Sequence, residues 1–176
     1  MIRGGRSCVL EMTPVRAAVV RCFAARGVLD LFPSSVGTIV RAAPDELWLI
    51  GPASARAALA ERARSYISGA DPDGVAVDQS DGWMAWTVSG AQITTLLARL
   101  STIALQPGRP GFSQGMVAEV PAKVLMQGDQ LHLFVSSQYG HHIPGRILDA
   151  CADLGVRLAE QRDLALGHHL MTSDNA

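Results

Sequence analysis

Three cysteines in 176 residues, Cys8, Cys22 and Cys151, are too few and too far apart for a disulfide framework or a C-x-x-C metal or redox motif. An odd number of thiols fits a reducing compartment, so a cytoplasmic location is the expectation. Charge of one sign is also missing. Fifteen basic residues stand against 16 acidic ones, the net charge is −1, and the basic residues are scattered. Holding a phosphate backbone or an anionic bilayer needs a one-signed field, so neither nucleic acid nor membrane is an expected partner. No apolar run approaches the roughly 20 residues that span a bilayer. The opening Met1-Ile2-Arg3-Gly4-Gly5-Arg6 leads into no apolar secretory core.

Motifs that announce chemistry are equally scarce. G-x-x-x-x-G-K-S/T, G-x-G-x-x-G, G-x-S-x-G and H-E-x-x-H do not occur. His141-His142 and His168-His169 are the metal candidates, but adjacent side chains diverge on helix and strand alike, so no metal site is expected. Ser89 and Ser113 lie near glycines without a nucleophile elbow. Cys151 falls on an apolar helical stripe and reads as core. Asp78 and Asp81 form the best carboxylate pair, placed for turn and capping duty at the start of a strand. Trp48, Trp83 and Trp86 read as core or interface anchors, although Trp83 also suits stacking on a flat ligand. No catalytic residue is assigned.

What the chain does have is apolar material: 48% hydrophobic residues and 18% charged ones, ample for one core. A mean hydropathy of +0.19 points to apolar surface kept for a partner, or simply to many Ala and Val residues. The length points to one domain or two very small lobes sharing a core, and the chain reads as a single compact α+β domain over 1–176, with residues 1–14 as a loose arm and 156–176 as a lid or partner-facing tail.

The clearest local pattern runs from Trp83 to Leu100. Met84, Trp86 and Val88 alternate with Trp83, Ala85, Thr87 and Ser89, which is the period of a strand. Ser89 and Gln92 then stand as a capping box, and Ile93, Leu96, Leu97 and Leu100 make one helical stripe that lies back on the same sheet. Upstream, Val15–Phe23, Val36–Ala42 and Glu46–Ile50 read as strands, and residues 24–32 as a short helical turn. A helix beyond Pro52 buries Ala55, Leu59, Ala63, Tyr66 and Ile67. Downstream, residues 101–115 read as loop. Met116–Met126 and Leu131–Ser136 read as two strands joined at Gln127–Gln130, and a helix follows on Tyr139, Ile143, Ile147 and Cys151 until Gly155. That helix starts near His142 or kinks at Pro144. Trp48-Leu49-Ile50-Gly51-Pro52-Ala53 and Trp86-Thr87-Val88-Ser89-Gly90-Ala91 echo each other as strand-to-helix joints. Together these elements predict a mostly antiparallel sheet with helices packed on one face.

Three blocks carry a family resemblance. Asp78-x-Ser80-Asp81-Gly82 with Val88-Ser89-Gly90-Ala91, then Leu96-Leu97-Ala98-Arg99-Leu100 and Leu105-x-Pro107, resembles the gamma subunit of heterotetrameric sarcosine oxidase. Asp45-Glu46-Leu47-Trp48-Leu49-Ile50-Gly51-Pro52 and Leu131-His132-Leu133-Phe134-Val135-Ser136-Ser137-Gln138-Tyr139 look like that family's flanking strands, in the same order over about residues 36–155. The family is in turn similar to the folate-binding region of the glycine cleavage T-protein, which implies a T-protein-like fold. The resemblance also implies a non-catalytic subunit beside a large flavoprotein (alpha) subunit, in a heterotetramer that oxidatively demethylates sarcosine or a related N-methyl amine. FAD, FMN, NAD and tetrahydrofolate would then reside in the other subunits and none in this chain. The T-protein's acidic G-G-x-x-D-D motif has no counterpart, since Gln114–Val120 occupies the corresponding region. A folate-dependent one-carbon transferase is the alternative, with Asp78 or Glu119 holding the pterin and Trp83 stacked beside it.

Overall fold

The computed structural model describes residues 10–33 and 37–166, and the backbone of 170–172. Cys8, Val36, His168 and His169 lie outside the described residues.

One strand organises the molecule. β1 (Glu11–Phe23) runs 13 residues and belongs to two antiparallel sheets in succession. Its first part, Glu11 to Val15, pairs with β5 (Trp83–Ser89), which continues through β8 (Gln130–Ser136) and β7 (Val120–Gln127) to β6 (Gly111–Val117). Its second part, Ala17 to Phe23, pairs with β3 (Glu46–Pro52), which leads to β2 (Thr38–Ala43), while Val20 to Phe23 also pair with the short β4 (Val75–Asp78).

Period-two alternation along β1 tells the three layers apart. Its odd residues, among them Val15 and Val19, meet Val40, Trp48, Ile50, Ala85, Phe112, Leu125 and Phe134 between the sheets. Its even residues face outward to different helices. Leu10 and Met12 pack under α3 (Ile93–Leu100) and α4 (His142–Ala150) with Trp86, Val88, Val124 and Leu133. Ala18, Val20 and Cys22 pack under α2 (Arg56–Ala70), through Leu59, Ala63 and Ile67. The short α1 (Arg26–Asp30) adds Leu29 to the same cluster. The expectation of helices on one face is therefore corrected. The two sheets face each other, nearly as a barrel, and helices cover the outer face of each. The sequence shows which faces of the strands are apolar but not that β1 bends from one sheet into the other.

Four boundaries also differ from the expectation. Residues 11–14 belong to β1 rather than to a loose arm. Pro14 is tolerated there because the even residues of β1 direct their backbone groups toward β9 (Arg157–Leu158) and β10 (Arg162–Asp163), and Pro14 falls in the break between these two strands. The carbonyls of Leu10, Met12 and Arg16 accept from the amides of Arg157, Ala159 and Leu164, so residues 157–164 are pinned along β1 instead of forming a free tail. β11 (Leu170–Thr172) pairs parallel with β2. The strand read over Met116–Met126 is two strands meeting at Ala118 and Glu119, whose φ values are 50° and 68°. Such a turn ordinarily signals itself with Asn-Gly, and Ala-Glu hid it. It follows that β6 begins at Gly111, inside the stretch read as loop.

The strand-to-helix joint at Ser89 holds in outline. Ile93, Leu96 and Leu97 are buried on the sheet, each stabilising by about 1.5–3 kcal/mol. The capping box does not form: no side chain of the described residues caps α3, and Gln92 instead accepts a hydrogen bond from Thr95 Oγ1 at 2.8 Å. α4 starts at His142 and is followed by a tight turn over Ala152–Leu154. Gly155 ends that turn in the left-handed region at φ 68°, as glycine permits.

Candidate functional site

Trp83, at the head of β5, stands where the two sheets open. Its ring meets Trp48 edge-on, with centroids 4.6 Å apart and planes at 65°. From the same sheet as Trp83, opposite Trp48, β7 sends Lys123 inward, because Ala122, Val124 and Met126 take the outward positions of the alternation. The Lys123 ammonium lies 4.8 Å from the Trp48 ring centroid and donates to Gln114 Oε1, while Gln114 Nε2 donates to the Ala42 carbonyl across the sheets at 3.2 Å. Burial pulls the Lys123 pKa below its ordinary value, with Glu46 opposing that and Arg21 adding to it. Trp83, Gln114, Met116, Pro121 and Lys123 line a cavity of about 340 Å³.

Behind Trp48, Arg21 and Glu46 form a partly buried pair at 2.7 Å. Glu46 Oε1 also accepts from Trp48 Nε1, and Arg21 reaches Gln79 Oε1 at 3.1 Å. The indole is thereby fixed in plane by a charge-assisted acceptor.

A second cavity, about 350 Å³, lies on the other side of Trp83 and is bordered by Arg16, Arg56, Ser80, Asp81 and Gln161. Here Asp78 accepts from Arg56 Nε at 2.6 Å, from the Ser80 amide at 3.0 Å and from Ser80 Oγ at 2.7 Å. Burial raises its pKa, but the bonds from Arg56 and Ser80 outweigh that and hold the carboxyl below its usual range. Asp81 takes the other edge of the Arg56 guanidinium at 2.8 and 2.6 Å. Ser80 Oγ in turn accepts the Val19 amide at 3.0 Å. The carboxylate pair thus fastens the start of α2 to the connection between β4 and β5.

Glu119 sits elsewhere. It is exposed on the β6–β7 turn, pairs with Arg146 of α4, and borders a cavity of about 400 Å³ with Arg99 and Asp149 that Trp83 does not reach. Of the three residues considered for folate, Trp83 borders the cavity flanked by the Asp78–Arg56–Asp81 cluster, while the exposed Glu119 pairs with α4 at a different cavity. Trp48, Trp86, Cys22 and Cys151 are buried. Ser113 lies within β6 rather than in a loop. His141 and His142 are exposed at the start of α4, and no group of three or more His, Cys, Asp or Glu gathers among the described residues.

Two features escaped the sequence reading. Lys123, whose inward position follows from the alternation of β7, was read only as part of a strand. The other is a buried polar row across the inner face: Thr13, Thr87 and His132, paired in register. Thr87 Oγ1 lies 3.0 Å from His132 Nδ1, and His132 Nε2 has no partner among the described residues. Burial, with Arg162 adding repulsion, lowers the imidazole pKa from 6.5 to about 4, so it is neutral at pH 7. Nothing in Leu131-His132-Leu133 marks the histidine as buried except its place in an apolar strand.

No protein-family model and no curated protein matches this sequence. Solved structures do match the fold. A chain of the heterotetrameric sarcosine oxidase from Corynebacterium sp. U-96, in complex with pyrrole 2-carboxylate, superposes with a TM-score of 0.66 at 14% identity, over 86% of this chain and 90% of that one. Glycine cleavage system aminomethyltransferase T from Bartonella henselae superposes with a TM-score of 0.62 at 11% identity, over 86% of this chain and 48% of that one, so this chain spans about half its length. The T-protein-like fold is therefore shared with both.

Proposed function

We propose, starting from a fold shared with a chain of a heterotetrameric sarcosine oxidase, that this protein is the non-catalytic gamma-type subunit of a related complex. That complex oxidatively demethylates sarcosine or another N-methyl amine in the cytoplasm. The observation that carries the reading is the extent of the match, 86% of one chain against 90% of the other, as expected of whole corresponding subunits. The site chemistry supports it. Asp78, Asp81, Glu46 and Asp153 are each engaged by an arginine in an ion pair, which suits architecture rather than proton transfer. Exposed Leu31, Val75, Val77, Met116 and Leu158 offer apolar surface to a large flavoprotein subunit. In this reading the flavins FAD and FMN, NAD and tetrahydrofolate are held by the other subunits. Co-expression with a candidate flavoprotein subunit tests it: the chain is expected to co-purify at fixed stoichiometry and to be colourless alone. Failure to associate with any flavoprotein subunit encoded beside it would overturn the reading.

The alternative, a folate-dependent one-carbon transferase, is favoured by one observation: Trp83 presents a ring to two cavities, and one of them holds Lys123 and Gln114. The oxygens of Asp78 are engaged by Arg56 and Ser80, so in this reading the pterin would rest on Trp83, Lys123 and Gln114. Titration of tetrahydrofolate against tryptophan fluorescence separates the two. Saturable quenching supports the transferase, and none at millimolar ligand removes it.

A further inference from the structure

Lys123 is the single lysine of the chain, set against 14 arginines. Arginine serves every ion pair described above; lysine is kept for one inward position on β7. An ammonium and a guanidinium differ in one respect that matters here, because only the amine readily sheds its proton to become a nucleophile. Among the described residues Lys123 is the one ionisable side chain lining its cavity, whose other walls are Trp83, Met116, Pro121, Ala122 and the Gln114 amide. Glu46 and Arg21 face it from the opposite sheet, and their charges largely offset each other in their 2.7 Å pair. Among the described residues no carboxylate touches the Nζ: its partners are the Gln114 oxygen and the Trp48 ring, not an anion of the kind that holds Arg56.

From this arrangement we infer that Lys123 is a covalent capture site for small aldehydes, which bind reversibly as an imine in the cavity beside Trp83. In the unprotonated state the Nζ lone pair adds to the carbonyl carbon, forming a C–N bond. A proton passes from nitrogen to the former carbonyl oxygen, giving a carbinolamine. Loss of that oxygen as water leaves the imine, which water hydrolyses in reverse with no net redox change. Gln114 Oε1, which accepts from the Nζ in the free protein, is placed to hold the N–H of the carbinolamine. The inference does not rest on the subunit reading.

The test is reductive trapping. The full chain, alone or in its purified assembly, is treated with formaldehyde and cyanoborohydride at pH 7, and methylation is mapped by peptide mass spectrometry. Methylation of Lys123 is expected to run about tenfold faster than that of Nα-acetyl-lysine amide in the same tube. The half-point of its pH profile is expected below that of the model amine. Trp83→Ala, which opens the cavity without touching the amine, is expected to return the rate to that of the free amine. Labelling of Lys123 no faster than the model amine, or with the same pH half-point, would overturn the inference. The wild-type measurement decides this even where the variant fails to fold.

Discussion

His132 offers a measurement in which structure fixes both the sign and the size. Its imidazole is 1% exposed, contacts Thr87 on one side, and lies within the repulsive field of Arg162 on β10. A pKa lowered from 6.5 to about 4 means that the folded protein refuses a proton which the unfolded chain accepts. Above pH 6.5 both states are neutral at this residue and it adds no pH dependence. As pH falls through 6.5 toward 4 the unfolded state gains a proton first, so stability is lost. At about 1.4 kcal/mol per tenfold difference in proton affinity, the loss reaches about 3 kcal/mol near pH 4. Lowered carboxylates such as Asp78 act below their model value of 3.8, so the two windows separate. Urea unfolding at half-unit steps from pH 7.5 to 4 measures the slope. His132→Gln is expected to be about 1–2 kcal/mol less stable at pH 7, since the Thr87 contact is altered, yet to lose the steep segment between pH 6.5 and 4. An unchanged slope in the variant, or an imidazole titrating near 6.5 by NMR, would refute the reasoning.

Three further outcomes follow from local contacts. A Cβ on Gly140 would lie 1.9 Å from Met84 Sδ and 2.8 Å from its Cγ, so Gly140→Ala is expected to cost about 1–3 kcal/mol in thermal unfolding, with Met84→Ala restoring part of the loss. Glu46→Ala leaves the Trp48 indole N–H without its acceptor and Arg21 without its ion-pair partner, though still bonded to Gln79; about 2–4 kcal/mol should be lost, together with a shift in tryptophan emission, whereas no change in either would contradict the pairing. Glu119→Gly suits the left-handed turn and should raise stability by about 0.5–1 kcal/mol, because the exposed Arg146–Glu119 pair that it removes contributes little; denaturant midpoints decide it.

Local pattern carried far in this chain. The alternation from Trp83 to Ser89 and the stripe from Ile93 to Leu100 lie where expected, because a half-buried strand and a sheet-covering helix leave unmistakable periods in the sequence. The joint after Trp48 behaves likewise. What stayed hidden is non-local. That β1 serves two sheets depends on partners far apart in sequence, at Ala85 to Ser89 on one side and Glu46 to Pro52 on the other. The Ala118-Glu119 turn carries no glycine to betray it. At the site, Trp83 and Asp78 were visible as residue types, but only folding shows that Arg56 claims the carboxylate and that Lys123 and Gln114, some 30–40 positions away, furnish the cavity that Trp83 borders.

The subunit account is tested most directly by isolating the chain through an affinity tag from cells that make its proposed partners, then recording the absorbance spectrum and N-methyl amine oxidation of both the assembly and the separated chain. The account predicts a flavin spectrum and activity that belong to the assembly and leave with the partner. A separated chain that keeps a bound flavin or pterin, or by itself demethylates sarcosine, would contradict it.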